Sequence, residues 1–138
     1  MSDTFHIRSS HPTDQDLILE LLKPFVEQQL LIPRTPKEVA DLMEHGFVAV
    51  EGRKIVGFAA IEIYSRKLAE IQCLAVCTRV HGMGIGTQLV EACLDIAKQH
   101  HVLEVMAISS SGNFLEQCGF DYSLPGHKRA LFYNTGGN

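Results

Sequence analysis

The chain has 138 residues, 46% of them apolar and 20% charged, with a formal net charge of −4. Those values describe one domain, 1–138, large enough to bury a core without staples. They exclude a basic nucleic-acid binder and a disordered acidic tail. No stretch approaches the ~20 consecutive apolar residues of a membrane span. Met1-Ser2-Asp3-Thr4 lacks the basic region and apolar core of a signal, so a cytoplasmic protein is expected.

Phe5-His6-Ile7-Arg8 alternates as a short first strand. From Thr13 to Gln28, Leu17, Ile18, Leu21, Leu22 and Phe25 fall at helical spacing, with Thr13 or Asp14 as the cap. Pro24 is a point at which that helix bends or splits. The apolar loop Leu30-Leu31-Ile32-Pro33-Arg34-Thr35-Pro36 leads into a second helix from Pro36 to His45. Its start pairs a Thr35 cap with an N1 proline and Glu38 at N3.

Phe47 to Glu51 and Lys54 to Tyr64 read as a hairpin around Glu51-Gly52-Arg53. Leu68 to Cys77 is another strand, and Gly84 to His100 is the longest helix, with Leu89, Val90, Cys93, Leu94 and Ala97 on one face. Val102 to Ala107 returns as a strand, Gly112 to Cys118 is a short helix, and Phe120–Tyr122 and Ala130–Tyr133 are closing strands. This order implies an α/β fold, a mixed sheet covered by helices. The outer strands of the Leu68–Ala107 unit should be parallel, with a right-handed connection.

The most informative segment is Leu74-Ala75-Val76 followed by Arg79-Val80-His81-Gly82-Met83-Gly84-Ile85-Gly86. A strand breaks into a glycine-rich turn and restarts as a helix. The glycines free the backbone to curl, and a curled backbone above a helix N-terminus presents unpaired N–H groups to a phosphate. The spacing is not Walker A, because no lysine follows Gly86 until Lys98, nor is it G-x-G-x-x-G.

The four cysteines read as reduced and structural, Cys73 and Cys77 on one face of a strand and Cys93 on an apolar helix face. Neither they nor the seven scattered histidines form a recognisable ligand set, so no metal is expected.

With its glycine loop between the fourth strand and the third helix, the chain resembles the GCN5-related N-acetyltransferase fold over nearly its whole length. That family's signature is Gln or Arg, two residues, Gly, one residue, then Gly or Ala. It is matched here to His81-Gly82-Met83-Gly84-Ile85-Gly86, with His81 in the Gln/Arg position. Within the family the likeness is to the acetyltransferase domain of N-acetylglutamate synthases. The likeness is carried by Leu30–Thr35, Val56-Gly57-Phe58-Ala59-Ala60, Ala69-Glu70-Ile71, Phe114-x-x-x-Cys118-Gly119-Phe120, Leu124-Pro125 and Leu131-Phe132-Tyr133-Asn134.

The resemblance implies a mostly antiparallel mixed sheet of six to seven strands flanked by about four helices. It implies acetyl-CoA as the acyl donor, its pyrophosphate on the main-chain amides of Gly82, Met83, Gly84, Ile85, Gly86 and Thr87. The pantetheine arm would lie beside Leu74, Ala75 and Val76; Asn113 is either a further contact to it or a residue of the short helix start, with helix packing as the plain alternative.

Glu70 interrupts an apolar strand, and amine acetylation requires a group that removes a proton. The resemblance makes Glu70 that base; the plain alternative is a surface glutamate paired with Lys54 or Lys67. Arg34, the only basic residue from Pro24 to Pro36, would grip a substrate carboxylate. The plain alternative there is a solvent-facing arginine.

Leu115 stands where the family usually places a thiolate-protonating tyrosine, and Ser109, Ser110 and Tyr133 are substitutes. The implied function is acetyl transfer to the amine of a small amino acid-like substrate, L-glutamate being the specific expectation. Another amine, a protein N-terminus and a non-catalytic acetyl-CoA-binding module are the alternatives. The partner is a small-molecule amine, with no nucleic acid or membrane. A homodimer through the apolar closing strands is open.

Overall fold

Strand order in the sheet follows chain order: β1 (His6–Ser9), β2 (Gly46–Glu51), β3 (Lys54–Ile63), β4 (Leu68–Val76) and β5 (Glu104–Met106). The structure, a computed structural model, describes residues 4–108, 112–121, 131 and 133–136. The first four strands pair antiparallel, and β4 pairs parallel with β5. Helices α1 (Gln15–Glu27) and α2 (Pro36–Leu42) precede β2, α3 (Ile85–Gln99) joins β4 to β5, and α4 (Gly112–Gln117) follows.

The expected six to seven strands become five among the described residues. Of the two expected closing strands, Phe120, Asp121, Leu131 and Tyr133 are described and are not in strands. Tyr122, Ala130 and Phe132 lie outside the described residues.

The alternation along the strands divides the core in two. On one face Ala49, Val56, Ile61, Ala69 and Ile71 pack with Ile85, Leu89, Val90, Cys93 and Leu115 from α3 and α4. On the other, Val48, Phe58, Ala60, Cys73 and Ala75 pack with Ile18, Leu22 and Val39 from α1 and α2. Gly57 leaves room on β3 for side chains of α3. A Cβ there would stand 3.0 Å from Leu89 Cδ1 and 3.1 Å from Ile85 Cγ2.

In β4 the alternation changes phase. Phe58 opposes Ala75 and Ala60 opposes Gln72, so three steps on β4 face two on β3. The bulge is taken up at Cys73, whose φ is +57°. Ala69 and Ile71 therefore face α3, whereas Cys73 and Ala75 face α1 and α2. This corrects the expectation that Cys73 and Cys77 share a strand face, since Cys77 already lies beyond the strand.

The local signals mostly hold. Thr35 Oγ1 accepts the Glu38 N–H at 3.1 Å and Glu38 accepts the Thr35 N–H at 2.8 Å, closing the reciprocal cap. The second helix tightens into a 3₁₀ turn over Met43–His45. Pro24 neither splits nor ends α1, which runs on one turn to Glu27. Asp14 stands at the N-cap of α1, as expected, but its side chain makes no cap bond to that helix. It accepts two hydrogen bonds from Arg8, at 2.8 and 3.0 Å, and one from the His11 N–H at 2.8 Å. Among the described residues no helix is long and apolar enough to cross a membrane.

Those bonds, the Arg8 contacts foremost, hold the Asp14 carboxyl below its usual range against the opposing effect of burial. A depressed folded value means the stabilisation is present at neutral pH. It is lost as pH falls from about 4, the unfolded value, through the folded one. Asp14→Asn should cost about 1–3 kcal/mol in urea unfolding at pH 7. The difference should shrink steadily below pH ~4, and a constant gap down to strong acid would contradict the pairing.

Candidate functional site

β4 and β5 are paired only at Leu68–Glu104, Ala69–Val105 and Glu70–Met106. Beyond Glu70 they part, so one edge of the 71–76 backbone has no partner strand among the described residues. An extended ligand arm with amide groups can take that edge as an added strand would.

The chain then turns through Thr78–Val80 and enters the glycine loop. Gly82 has φ +87° and Gly84 φ +82°, and nothing lies within 4 Å of a Cβ built on either. Those left-handed positions curl the main chain at no steric cost only for glycine. α3 begins at Ile85 with no side-chain cap, and Gln88 N–H makes a first helical bond to Gly84 O at 3.1 Å. The Ile85, Gly86 and Thr87 amides thus have no acceptor inside the helix. Open space, free amides and the positive end of a 15-residue helix fit a pyrophosphate. Gly86 serves packing, since a Cβ there would meet Phe114 Cζ at 3.0 Å.

The two left-handed glycines also reset the signature. Arg79-Val80-His81-Gly82-Met83-Gly84 has the same spacing as the segment read from His81. It places both turn glycines at the required positions. Arg79, paired with Glu51 at 2.9 Å, therefore stands first, where His81 was expected. The His81 ring turns back to the Val76 carbonyl at 2.9 Å.

A second group of residues lies on the α1/α2 face of the sheet, built around Gln72, which is only 9% exposed. Arg34, from the loop between α1 and α2, donates from Nη2 to Gln72 Oε1 at 2.6 Å. The Gln72 amide nitrogen lies 3.1 Å from Glu62 Oε1, 3.2 Å from Tyr64 Oη and 3.2 Å from Glu70 Oε1. The Tyr64 hydroxyl donates to Glu70 at 2.7 Å. Loss of water around that hydroxyl, then the Glu70 carboxylate, pushes the Tyr64 phenol well up, so it is a donor at neutral pH.

Glu62 and Glu70 oppose each other across β3 and β4. Arg34 Nε is buried without a partner among the described residues. Burial pushes the Cys73 thiol up and Arg34 opposes the shift, so this cysteine is a packing residue beside the guanidinium.

Arg34 borders two cavities. One, of about 320 Å³, is walled by Glu38, Asp41, Glu44, His45 and Glu62. The other, of about 190 Å³, is mainly apolar and reaches Leu22, Leu31, Val39 and Cys73.

Of the expected site residues, Glu70 and Arg34 are brought into one network, and Leu74, Ala75 and Val76 lie on the open edge that leads to the glycine loop. Glu70 bonds to Tyr64 and Gln72, neither Lys54 nor Lys67. Asn113 lies in the first turn of α4. Leu115 is 7% exposed and belongs to the core, which accounts for its apolar character. Tyr133 is 90% exposed, and Ser109 and Ser110 lie outside the described residues.

Sequence reasoning missed Glu62, Tyr64 and Gln72. Their signal was the period-2 spacing of Glu62 and Tyr64 on one strand and of Glu70 and Gln72 on the next.

The Acetyltransferase (GNAT) family matches residues 15–120. The chain is 26% identical over 114 residues to the uncharacterized N-acetyltransferase CT2212 of Chlorobaculum tepidum, covering 83% of this chain and 74% of the relative. It is 25% identical over 138 residues to the amino-acid acetyltransferase of Neisseria meningitidis, covering 96% of this chain and 32% of the relative. The chain thus spans about a third of that relative's length. The solved N-acetylglutamate synthase of Neisseria gonorrhoeae, complexed with coenzyme A and N-acetyl-glutamate, superposes with a TM-score of 0.75. Identity there is 24%, over 85% of this chain and 28% of that one.

Gln72→Leu tests whether the network carries stability. It removes the acceptor of Arg34 and the amide shared by both carboxylates, and should cost about 1–3 kcal/mol in urea unfolding. An unchanged midpoint would show that water replaces Gln72 freely.

Proposed function

Because the chain belongs to the acetyltransferase (GNAT) family, we propose that it moves the acetyl group of acetyl-CoA directly to the amine of a small, carboxylate-bearing acceptor. N-acetyl transfer from acetyl-CoA is the family's activity, and the fold is the family's fold. The amino-acid character of the acceptor is the proposal. L-Glutamate falls within the proposed class.

The observation that carries it is the chain of contacts from Arg34 through Gln72 to Glu70. A guanidinium and a carboxylate held on either side of one buried amide match an amino acid, which offers a carboxylate and an ammonium a few bonds apart. Arg34 keeps Nε buried and without a partner, so a carboxylate arriving there satisfies a donor that otherwise has none among the described residues.

Glu70 is the proposed base. It takes a proton from the acceptor's ammonium, and the freed lone pair bonds to the thioester carbonyl carbon. The C–N bond forms as the C–S bond breaks. The nitrogen's second proton goes to solvent, and the departing thiolate takes one back. Tyr64 and Gln72 donate to Glu70 and fix its orientation between turnovers. The loop amides of Gly82 to Thr87 would hold the pyrophosphate and the open β4 edge at Leu74 to Val76 the pantetheine.

Two substitutions separate the roles. Glu70→Gln should lower kcat about 10²- to 10⁴-fold, with acetyl-CoA affinity by calorimetry nearly unchanged. A rate at neutral pH equal to the parent's would remove Glu70 from the chemistry. Arg34→Ala should raise KM for a carboxylated amine by about tenfold or more, and leave KM for the same amine lacking its carboxylate nearly unchanged. Equal effects on both amines would show that Arg34 does not read the carboxylate.

A further inference from the structure

We propose that the acceptor carries a single carboxylate and a cationic second end, as a basic amino acid does, and that Glu62 selects it over a dicarboxylate. This rests on the acetyl-transfer reading above and narrows its acceptor.

The charge balance around Arg34 carries the argument. Among the described residues Arg34 supplies the one guanidinium on the wall of the 320 Å³ cavity, and the same wall presents Glu38, Asp41, Glu44 and Glu62, with His45 beside them. Lys37 offsets Asp41 at 3.0 Å. Among the described residues no cation pairs with Glu38, Glu44 or Glu62. Arg34 already gives Nη2 to Gln72, so its remaining donors suit one carboxylate. A second carboxylate entering the cavity would face like charge at close range, whereas an ammonium there would meet opposite charge.

Glu38 is held by the Thr35 cap and Asp41 by Lys37, whereas Glu62 is held by the amide that also contacts Arg34 and Glu70. Gln72 Nε2 holds Glu62 Oε1 at 3.1 Å, so the carboxylate is oriented before ligand arrives. It also stands across the sheet from Glu70, which puts the selecting group and the proposed base on neighbouring strands.

The test uses three acceptors of equal chain length and different side-chain charge: L-ornithine, L-glutamine and L-glutamate. Thiol release from acetyl-CoA is measured for the full chain and for Glu62→Gln, at low and raised salt. L-Ornithine should exceed L-glutamate in kcat/KM by about a hundredfold, with L-glutamine between them. Glu62→Gln should compress that ratio about tenfold, and raised salt should compress it in the parent. Equal or reversed preference, or a ratio unmoved by Glu62→Gln, would overturn the proposal.

Equilibrium binding of the same acceptors to the coenzyme A-loaded protein separates the two readings. Silence in the thiol assay with the binding order intact would sink amino-acid acetylation and leave the selectivity standing. Silence with no acceptor bound would overturn both.

Discussion

The backbone at Cys73 is the constraint on which the site depends. Its φ of +57° is costly for a residue with a Cβ, on the order of 1–2 kcal/mol. Regular pairing on either side, Phe58 with Ala75 and Ala60 with Gln72, holds it there. The extra residue turns the second half of β4 over. Gln72 is thereby left on the same side as Cys73, against the loop that carries Arg34. Just before the bulge, pairing with β5 has ended at Glu70. One strand thus holds the proposed base where the sheet is closed and an open backbone edge where it is not.

A neutral amide at the centre of a charged site has a definite consequence. If Arg34 touched Glu62 or Glu70 directly, both partners would be spent on an internal ion pair, and substrate would have to break it. Gln72 meets the guanidinium with its oxygen and the carboxylates with its nitrogen. Each charge is held in position and keeps hydrogen-bonding capacity. Tyr64, one residue past the end of β3, works toward the same end, donating to Glu70 from a phenol that stays protonated.

Much of this was legible in the chain because it is local. The Thr35–Glu38 cap, the Glu51-Gly52-Arg53 hairpin, the apolar face of α3 and the glycine turn are each written within a few residues, and each forms. What stayed hidden depends on register. Alternation alone cannot show that β4 changes phase at Cys73, because the bulge is decided by pairing with β3. The Arg34–Gln72 contact joins residues 38 apart. Glu70 had two lysines close in sequence, yet its hydrogen bonds come from Gln72, two residues along its own strand, and from Tyr64, which the antiparallel pairing of β3 with β4 brings beside it. The signature offset has the same cause: Gly82, Gly84 and Gly86 look alike in sequence, and only their φ values show that two of them make the turn.

Amide hydrogen exchange with and without acetyl-CoA tests the central claim most directly, that the parted β4 edge and the glycine loop together hold the acyl donor. Protection should rise at Leu74 and Val76 and across Gly82 to Thr87, and stay unchanged in β1, which is remote from both. Protection in the loop alone, or at neither segment despite measurable binding, would contradict that claim.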